Sequence, residues 1–371
     1  MRAVVVGGGI IGTMHALLAL DAGHEVLHIE RDSRPLSASI RNFGLIWVSG
    51  RAAGPELKIA LRARELWEEI GKRANIGFRA QGSLTIAQSA AELEVMLAAA
   101  SLPDAASRGF RVLDRAQVQG HEPALQGKFV GALECTKDAS VEPDLLLAGL
   151  RNYLTQNPKY TWRPNFEVLD FYHDETGNHL TNISGEKVSA ELMVMCPGSA
   201  HQGFLAEFLA GAPLRRVHLQ MAATAPFGTT LNHSIADVDS MRYYPAFKNL
   251  ALDALPPQEP IAAQYKMQLL LVPRLDHSFT IGDTHEYDEP FSHEILEAPY
   301  DHLRSVISTI FGAPAPTIVR RWSGNYSQVT GDDIYYRREI APGAVVVTGG
   351  GGRGNTISPA IAEETINSWP K

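Results

Sequence analysis

Apolar residues along this chain come in short blocks whose period switches between two and about 3.6, the pattern of strands alternating with amphipathic helices. Ala3-Val4-Val5-Val6 reads as a buried strand, a helix carries Ala16 and Leu20, and a second strand around Val26 ends at Glu30. Residues 57–73 form an amphipathic helix with Ile59, Leu66, Trp67 and Ile70 apolar among Arg and Glu. The pattern turns strand-like over 78–87 and helical over 90–100. A helix led by Glu142-Pro143 covers 141–153, strands follow around Trp162 and over 166–172, a polar turn spans 174–178, and another strand falls near 192–195. From 217 to 321 the chain is strand-rich, with strands at 217–223, 267–272 and 279–282, another expected at Tyr243-Tyr244-Pro245, and a helix at 300–311. Ala344 to Thr348 is a buried-strand pattern, and a glycine loop then leads into a helix near 359–368.

The first block carries the sharpest local signal. Gly7-Gly8-Gly9-Ile10-Ile11-Gly12 sits between strand and helix, and Glu30 closes the second strand. Gly7 permits the tight turn, Gly9 lets the backbone approach a pyrophosphate, Gly12 allows close helix-to-strand packing, and Glu30 is placed to accept hydrogen bonds from a ribose. Strand, glycines, helix, strand and acid in that order define a dinucleotide-binding βαβ unit. A secretory signal is the competing reading of Met1-Arg2 and the apolar stretch, but Gly7 to Gly9 interrupt it and no A-x-A site follows. The unit alone leaves NAD, NADP and FAD open. A second glycine run, Gly349 to Gly354, opens a helix almost a chain length away and narrows the choice to FAD, which is long enough to need phosphate contacts at one helix and flavin contacts at another.

Composition then removes classes. A chain of 371 residues has room for two lobes, and a formal net charge of -8 with scattered Lys and Arg argues against a nucleic-acid partner. The two cysteines, Cys135 and Cys196, lack metal-like spacing and are expected as free thiols in a reducing, cytoplasmic compartment. No apolar stretch reaches the roughly 18 residues a membrane helix needs. His24 and His28 form the one H-x-x-x-H pair but flank a strand instead of sharing a helix face, and no metal is expected.

The whole pattern resembles the D-amino-acid oxidase, glycine oxidase and sarcosine oxidase superfamily of FAD-dependent oxidoreductases. The likeness rests on Gly7 to Glu30, on Ser39-Ile40-Arg41-Asn42-Phe43-Gly44, on Cys196-Pro197-Gly198, on Pro273-Arg274-Leu275-Asp276 before Ile281-Gly282-Asp283-Thr284, and on Gly350-Gly351-Gly352-Arg353-Gly354 with Ser358-Pro359. It implies an α/β fold of glutathione-reductase/D-amino-acid-oxidase type: a Rossmann-like FAD-binding domain (1–77, 141–216 and 335–371) with an inserted mixed-sheet, α+β substrate-binding domain (78–140 and 217–334). It further implies that Arg31 sits beside Glu30 at the adenosine end and that Val168 touches the adenine through its backbone. Ser39, Arg41, Asn42, Phe43, Gly44 and Leu45 would line pyrophosphate and flavin, with Gly7, Gly9, Ile10, Ile11, Gly12, Pro197 and Gly198 around them. Gly351, Gly352, Arg353, Gly354, Asn355 and Thr356 would hold the flavin pyrimidine edge.

The departures bear on substrate. Family members that oxidise free α-amino acids usually carry an Arg after a Trp to clamp the carboxylate, and here Trp322-Ser323-Gly324-Asn325-Tyr326 has Tyr326 in its place. No counterpart of the covalent-flavin cysteine is present, so FAD is expected to bind noncovalently. The stretches Arg41 to Trp47 and Ile281 to Tyr287 are similar to a clade proposed to oxidise aminophosphonates. The expected reaction is hydride transfer from the carbon beside an amine, on a small substrate with an anionic group, with oxygen or another acceptor taking the electrons and a monomer or homodimer as the working unit. Oxidation of an N-methylated or cyclic amino acid is the alternative, as is a flavin-binding subunit that needs a partner. Candidates at the substrate are Arg41, Arg242, Tyr243, Tyr244, His285 and Tyr326, with Trp47 and Phe43 as walls, His218 and Gln220 on one strand face toward the flavin, and Lys266 near it. Each has a plainer reading: Arg41 pairs with FAD phosphates or Asp32, His285 is a solvated surface histidine, Lys266 is exposed at a strand start.

Overall fold

The computed structural model describes residues 1–292 and 294–369. Its first sheet has six strands in the order Tyr336–Ala341, Ala344–Thr348, Leu192–Met195, Arg2–Val6, Glu25–Ile29, Tyr160–Arg163, all parallel except the first pair. Parallel strands are buried on both faces, which is why they read as unbroken apolar runs. Ala3, Val5, Val194, Val345 and Val347 face the helices Ile10–Asp21, Pro55–Arg73 and Gly354–Asn367. Val4, Met193, Met195 and Val346 face the other way, toward the three-stranded sheet of Val168–Asp174, Gly177–Asn182 and Lys187–Ala190.

The second large sheet is mixed and has eight strands: Ile318–Val329, Leu214–Thr224, Phe279–Gly282, Leu270–Pro273, Ser234–Ala236, Ser83–Ala87, Gly131–Cys135 and Phe110–Asp114. One face packs on the helix Glu297–Phe311 through Ala222, Phe279, Ile281, Leu303 and Ile307. The opposite face carries Leu219, Met221, Leu270 and Val272, which meet Phe43, Leu45 and Trp47 from the first lobe. That junction is where the long cavity of the molecule lies.

Three local expectations are corrected. Tyr243-Tyr244-Pro245 is no strand: Tyr243 ends the short helix Asp239–Tyr243, and Tyr244 N donates to Ser240 O at 3.0 Å. A short run of aromatic and polar residues does not carry enough period to separate the two. The last helix starts at Gly354, five residues before the expected position, and runs through Pro359. Proline has no N–H for the carbonyl four residues back, normally a break. Here that carbonyl, Asn355 O, accepts instead from Trp67 Nε1 at 3.2 Å and Ser358 Oγ at 3.1 Å, so the helix continues. The strand expected from residue 78 begins at Ser83, because Arg79 bridges outward to Ser140.

Candidate active site

Strand Arg2–Val6 delivers Gly7 in the left-handed region, at φ +106°, and helix Ile10–Asp21 starts three residues later. A Cβ at Gly12 would stand 2.0 Å from Gly7 O, so helix and turn touch backbone to backbone. Ser39 Oγ accepts from Ile10 N at 2.9 Å and closes the helix start from the side. Glu30 accepts from Gly8 N at 2.7 Å and from Asp32 N at 3.1 Å, which fixes its carboxylate under the loop. His28, buried beneath, accepts from Tyr160 Oη and donates to Gly7 O, each at 3.0 Å. Its plainer neighbour His24 packs edge-on against Trp369.

From this cradle a single cavity of about 890 Å³ runs to the second sheet. Glu30, Arg31 and Val168 line one end, with Phe166 and Gly203; Gly7, Gly9, Ile10, Ile11, Gly12, Ser39, Pro197 and Gly198 follow; Arg41, Asn42, Phe43, Leu45, Trp47 and the backbone from Gly351 to Thr356 line the far half. The two walls of the far half are tied together. Trp47 N donates to Thr356 Oγ1 at 2.9 Å, and Asn355 Nδ2 donates to Leu45 O at 3.0 Å. Arg353 donates to Glu56 Oε1 at 3.1 Å and to Ile334 O at 3.1 Å, and both Arg353 and Glu56 line the cavity.

Gly44 stands outside this wall, a correction with a steric reason: its φ is +77° and a Cβ there would meet Val141 O at 2.1 Å, so it serves the turn. His218 is corrected as well. Strand Leu214–Thr224 turns Leu219 and Met221 to the cavity, so His218 and Gln220 between and beside them face away; His218 Nδ1 contacts Glu286 Oε2 at 3.0 Å and Gln220 Oε1 accepts from Leu296 N at 2.9 Å. Arg242 is bound to Asp239 and to Pro256 O, away from the cavity. Arg41 donates to Ser323 O at 2.9 Å, not to Asp32, with its stem along Gly324. Lys266 stands behind the wall, its Nζ 4.4 Å from the centre of the Tyr287 ring.

At the far end the same alternation assembles a polar group. Asp283, His285 and Tyr287 point inward, while Thr284 and Glu286 point back at strand Leu214–Thr224. His285 is buried, not solvated; its Nδ1 donates to Lys266 O at 3.0 Å, which leaves Nε2 3.6 Å from Asp283 Oδ2. Gln268 Nε2 donates to Asp283 Oδ1 at 2.8 Å. Tyr243 stacks on His285 with ring centres 4.4 Å apart, and both Tyr243 and Tyr244 face the cavity. Burial pushes the Asp283 carboxyl above the usual carboxylate range, with His285 pulling it back in part. Burial also raises the Tyr243 and Tyr326 phenols, which stay neutral.

Two residues lie outside the sequence-based candidates, Arg51 and Asp283. Arg51 is 4% exposed, lines the cavity, lies 5.2 Å over the Tyr244 ring and touches Glu56 Oε1 at 3.4 Å. Its position four residues after Trp47, just past Ser49-Gly50, was the available signal. The loop that carries it is held by Arg108, fully buried, which donates to Val48 O at 3.1 Å, Ser49 O at 2.9 Å and Arg51 O at 2.7 Å. Asp138 Oδ1 accepts from Val48 N at 2.6 Å and Ser49 N at 2.9 Å on the other side. Replacing Arg108 by Leu leaves those buried carbonyls without donors, and denaturant melts should show a loss on the order of 3 kcal/mol. A rise in KM should accompany it, because Arg51 loses its fixed position.

The cavity fits a dinucleotide with a ring system at its far end. Trp47 Nε1, Arg51 Nε, Asn325 Oδ1, Tyr326 Oη and Asn355 Oδ1 all belong to residues that line it, and all are buried without a hydrogen-bond partner. Buried polar atoms are rarely left so, and their convergence on one space marks where ligand atoms belong. Cys196, the cysteine in the wall, is wedged under the first helix with its thiol raised by burial, which fits noncovalent attachment; neither cysteine is in a disulfide. A two-glycine-loop cradle opening onto a sheet-walled chamber defines a flavin-dependent oxidoreductase.

Comparison with known proteins agrees. Residues 2–367 match the family model DAO, described as FAD dependent oxidoreductase, and the chain belongs to that family, with FAD as its cofactor. An opine oxidase subunit of Rhizobium meliloti is 26% identical over 239 residues, 61% of this chain and 64% of that protein, so the chain spans less than two thirds of this curated relative. Glycine oxidase from Geobacillus kaustophilus shares the fold at TM-score 0.78 and 19% identity, covering 100% of this chain and 95% of the other. L-proline dehydrogenase from P.horikoshii does so at TM-score 0.79 and 16% identity, covering 99% and 92%. Among the described residues no helix is long and apolar enough to cross a membrane.

Proposed function

We infer that the protein oxidises a small primary or secondary amine carrying an anionic group, aminophosphonate-like, to an imine that water hydrolyses to a carbonyl compound and free amine or ammonia. Bound FAD supplies the two-electron acceptor for the hydride that leaves the carbon beside nitrogen. The observation that carries the reading is the pairing of opposite charges across one aromatic face. The Arg51 guanidinium lies 5.2 Å from the centre of the Tyr244 ring; Tyr244 meets Tyr243 edge-on, Tyr243 stacks on His285 beside Asp283, and Trp47 lies alongside. Arg51 presents an unpartnered buried Nε to the substrate anion. Asp283 receives the amine, holding its ammonium and taking the proton that must leave before nitrogen can donate electrons. The rings of Trp47, Tyr243 and Tyr244 suit the cationic or N-alkyl end, and Tyr326 replaces a second guanidinium by a neutral hydroxyl, which favours a rounder anion over a flat carboxylate clamp.

Anaerobic addition of a panel of amines, amino acids and aminophosphonates to the yellow protein tests this. Aminophosphonates should bleach the flavin at substrate concentrations where glycine and D-alanine do not. Bleaching by none of the amines, or equal bleaching by glycine, contradicts it; preferential bleaching by an N-methylated or cyclic amino acid would move the assignment there. The likeness to an opine oxidase subunit favours one further reading, a flavin-bearing polypeptide that turns over only with a partner. Multiple turnovers by the purified chain with oxygen or a dye as acceptor would remove it.

Asp283 gives a pH prediction. With its carboxyl raised by burial, kcat/KM should rise with pH through that raised value as the carboxylate forms, then level off. Asp283→Asn should erase that limb and slow flavin reduction about 10²- to 10⁴-fold. Stability runs the opposite way: the contribution from the protonated carboxyl is full below the ordinary Asp range and is lost as pH climbs through the folded value.

A further inference from the structure

We propose that a divalent transition metal of the zinc type binds on the outer part of the eight-stranded sheet, held by His121, Glu134 and His233. The three come from separate elements: His121 ends the helix Arg115–His121, Glu134 lies in strand Gly131–Cys135, and His233 precedes strand Ser234–Ala236. One nitrogen from each histidine and one Glu134 oxygen lie within 4.8 Å of one another. None of the three lines the flavin cavity. Their sequence spacing shows nothing of this, and the sequence pattern alone leads to no expected metal; strand pairing creates the juxtaposition.

The orientation of His233 points to a cation. Its Nδ1 contacts Glu122 Oε1 at 2.7 Å, which in the neutral ring makes Nδ1 the donor and leaves the lone pair on Nε2. That Nε2 faces Glu134 Oε1 at 4.0 Å, so a lone pair and a carboxylate oxygen confront each other. His121 Nδ1 approaches the same oxygen at 3.6 Å, and the two imidazoles lie near parallel with centres 5.9 Å apart. A carboxylate hydrogen-bonded to the far nitrogen of a ligand histidine is the usual outer partner at zinc sites, and it orients the ring.

Glu122 supplies the second observation. Its carboxylate is wholly buried, Oε1 accepts also from Asn232 N at 2.7 Å, and Oε2 has no hydrogen-bond partner. A buried carboxylate without a cation is costly, and a dication on His233 supplies the missing charge through the ring. Glu134 Oε2 is already bonded to Arg111 Nε at 2.9 Å, so Glu134 ligates through Oε1 alone. Two imidazole nitrogens and one carboxylate oxygen, with a fourth place open toward solvent on the His121 side, match tetrahedral zinc with bonds of about 2.0–2.2 Å. The half-exposed His121 ring is the one free to close the remaining gap. Bound there, the ion joins the helix end, the sheet and the 231–236 segment.

The test uses the full FAD-loaded chain, stripped with EDTA and desalted, then titrated calorimetrically with Zn²⁺. One ion per chain should bind with micromolar or tighter Kd and raise the melting temperature, with the flavin spectrum unchanged. His121→Asn and His233→Asn should each weaken Zn²⁺ at least about 100-fold, Glu122→Gln about 10- to 100-fold, and His173→Asn, at an exposed histidine on the separate three-stranded sheet, should leave it as it was. His121→Asn alters an accessible position and keeps the test open if the His233 variant does not fold. Absence of a stoichiometric site, or binding unchanged in both ligand variants, overturns the proposal; in that case His233 is an imidazolium paired with Glu122 and Glu134.

Discussion

Arg51→Met should raise KM for an anionic amine about 100-fold while leaving FAD bound. Hydrogen bonds to charged groups are worth about 1.5–3 kcal/mol each, and a factor of ten in affinity is about 1.4 kcal/mol, so one guanidinium contact with a phosphonate accounts for one to two powers of ten. The side chain is buried and lines the far half of the cavity; one terminal nitrogen lies 3.4 Å from Glu56 Oε1, while Nε is unpartnered and available to an anion. Steady-state kinetics of wild type and variant on one aminophosphonate and one uncharged amine check this. The uncharged amine should be nearly unaffected. An equal loss on both substrates would mean that Arg51 only supports Glu56 and the loop, and would detach it from the anion.

Gly12→Val should yield protein with less than about a tenth of the wild-type flavin. Even a single Cβ at this position meets Gly7 O at 2.0 Å, so the helix must retreat from the turn that faces the phosphates. Overpacking of this kind costs about 1–3 kcal/mol in stability, and the displaced helix start also loses its alignment with Ser39 Oγ. The ratio of flavin to protein absorbance, with a thermal melt beside it, is the check. A normally yellow variant would mean that the N-terminal loop does not hold the dinucleotide.

Both positions show where the sequence speaks and where it falls silent. Gly12 is legible because its role is local: strand, turn and helix follow within a dozen residues, and the glycine spacing encodes backbone contact directly. The second glycine run is legible for the same reason, although the helix it opens runs through Pro359 only because Trp67, far away in sequence, takes the carbonyl that proline leaves free. Arg51 is a different case. Beyond its place four residues after Trp47, nothing in its neighbourhood distinguishes it from a surface arginine, since its burial comes from Tyr244 and Glu56 and its backbone is fixed by Arg108.

His218 and Asp283 illustrate the other gap. Period-two alternation tells that neighbours in a strand face opposite ways, but not which set faces inward, and a one-residue shift exchanges the faces. Packing makes the choice: Leu219 and Met221 join the apolar wall with Phe43 and Trp47, which sends His218 to Glu286 and brings Asp283 and His285 inward on the segment after Phe279–Gly282. Tyr243 and Tyr244 both reach the cavity for the reason that a strand would have forbidden, a helical turn followed by Pro245.

In the proposed complex the anion of an amine substrate lies against Arg51 while its nitrogen lies against Asp283. A crystal structure of the FAD-bound protein with a non-reacting phosphonate analogue tests it most directly. The phosphonate oxygens should sit within about 3 Å of the Arg51 guanidinium, with the amine end between Asp283 and the Tyr243 ring. A phosphonate held at Arg215 and Arg216 in the cavity wall, with Arg51 still turned to Glu56, would rule out that placement.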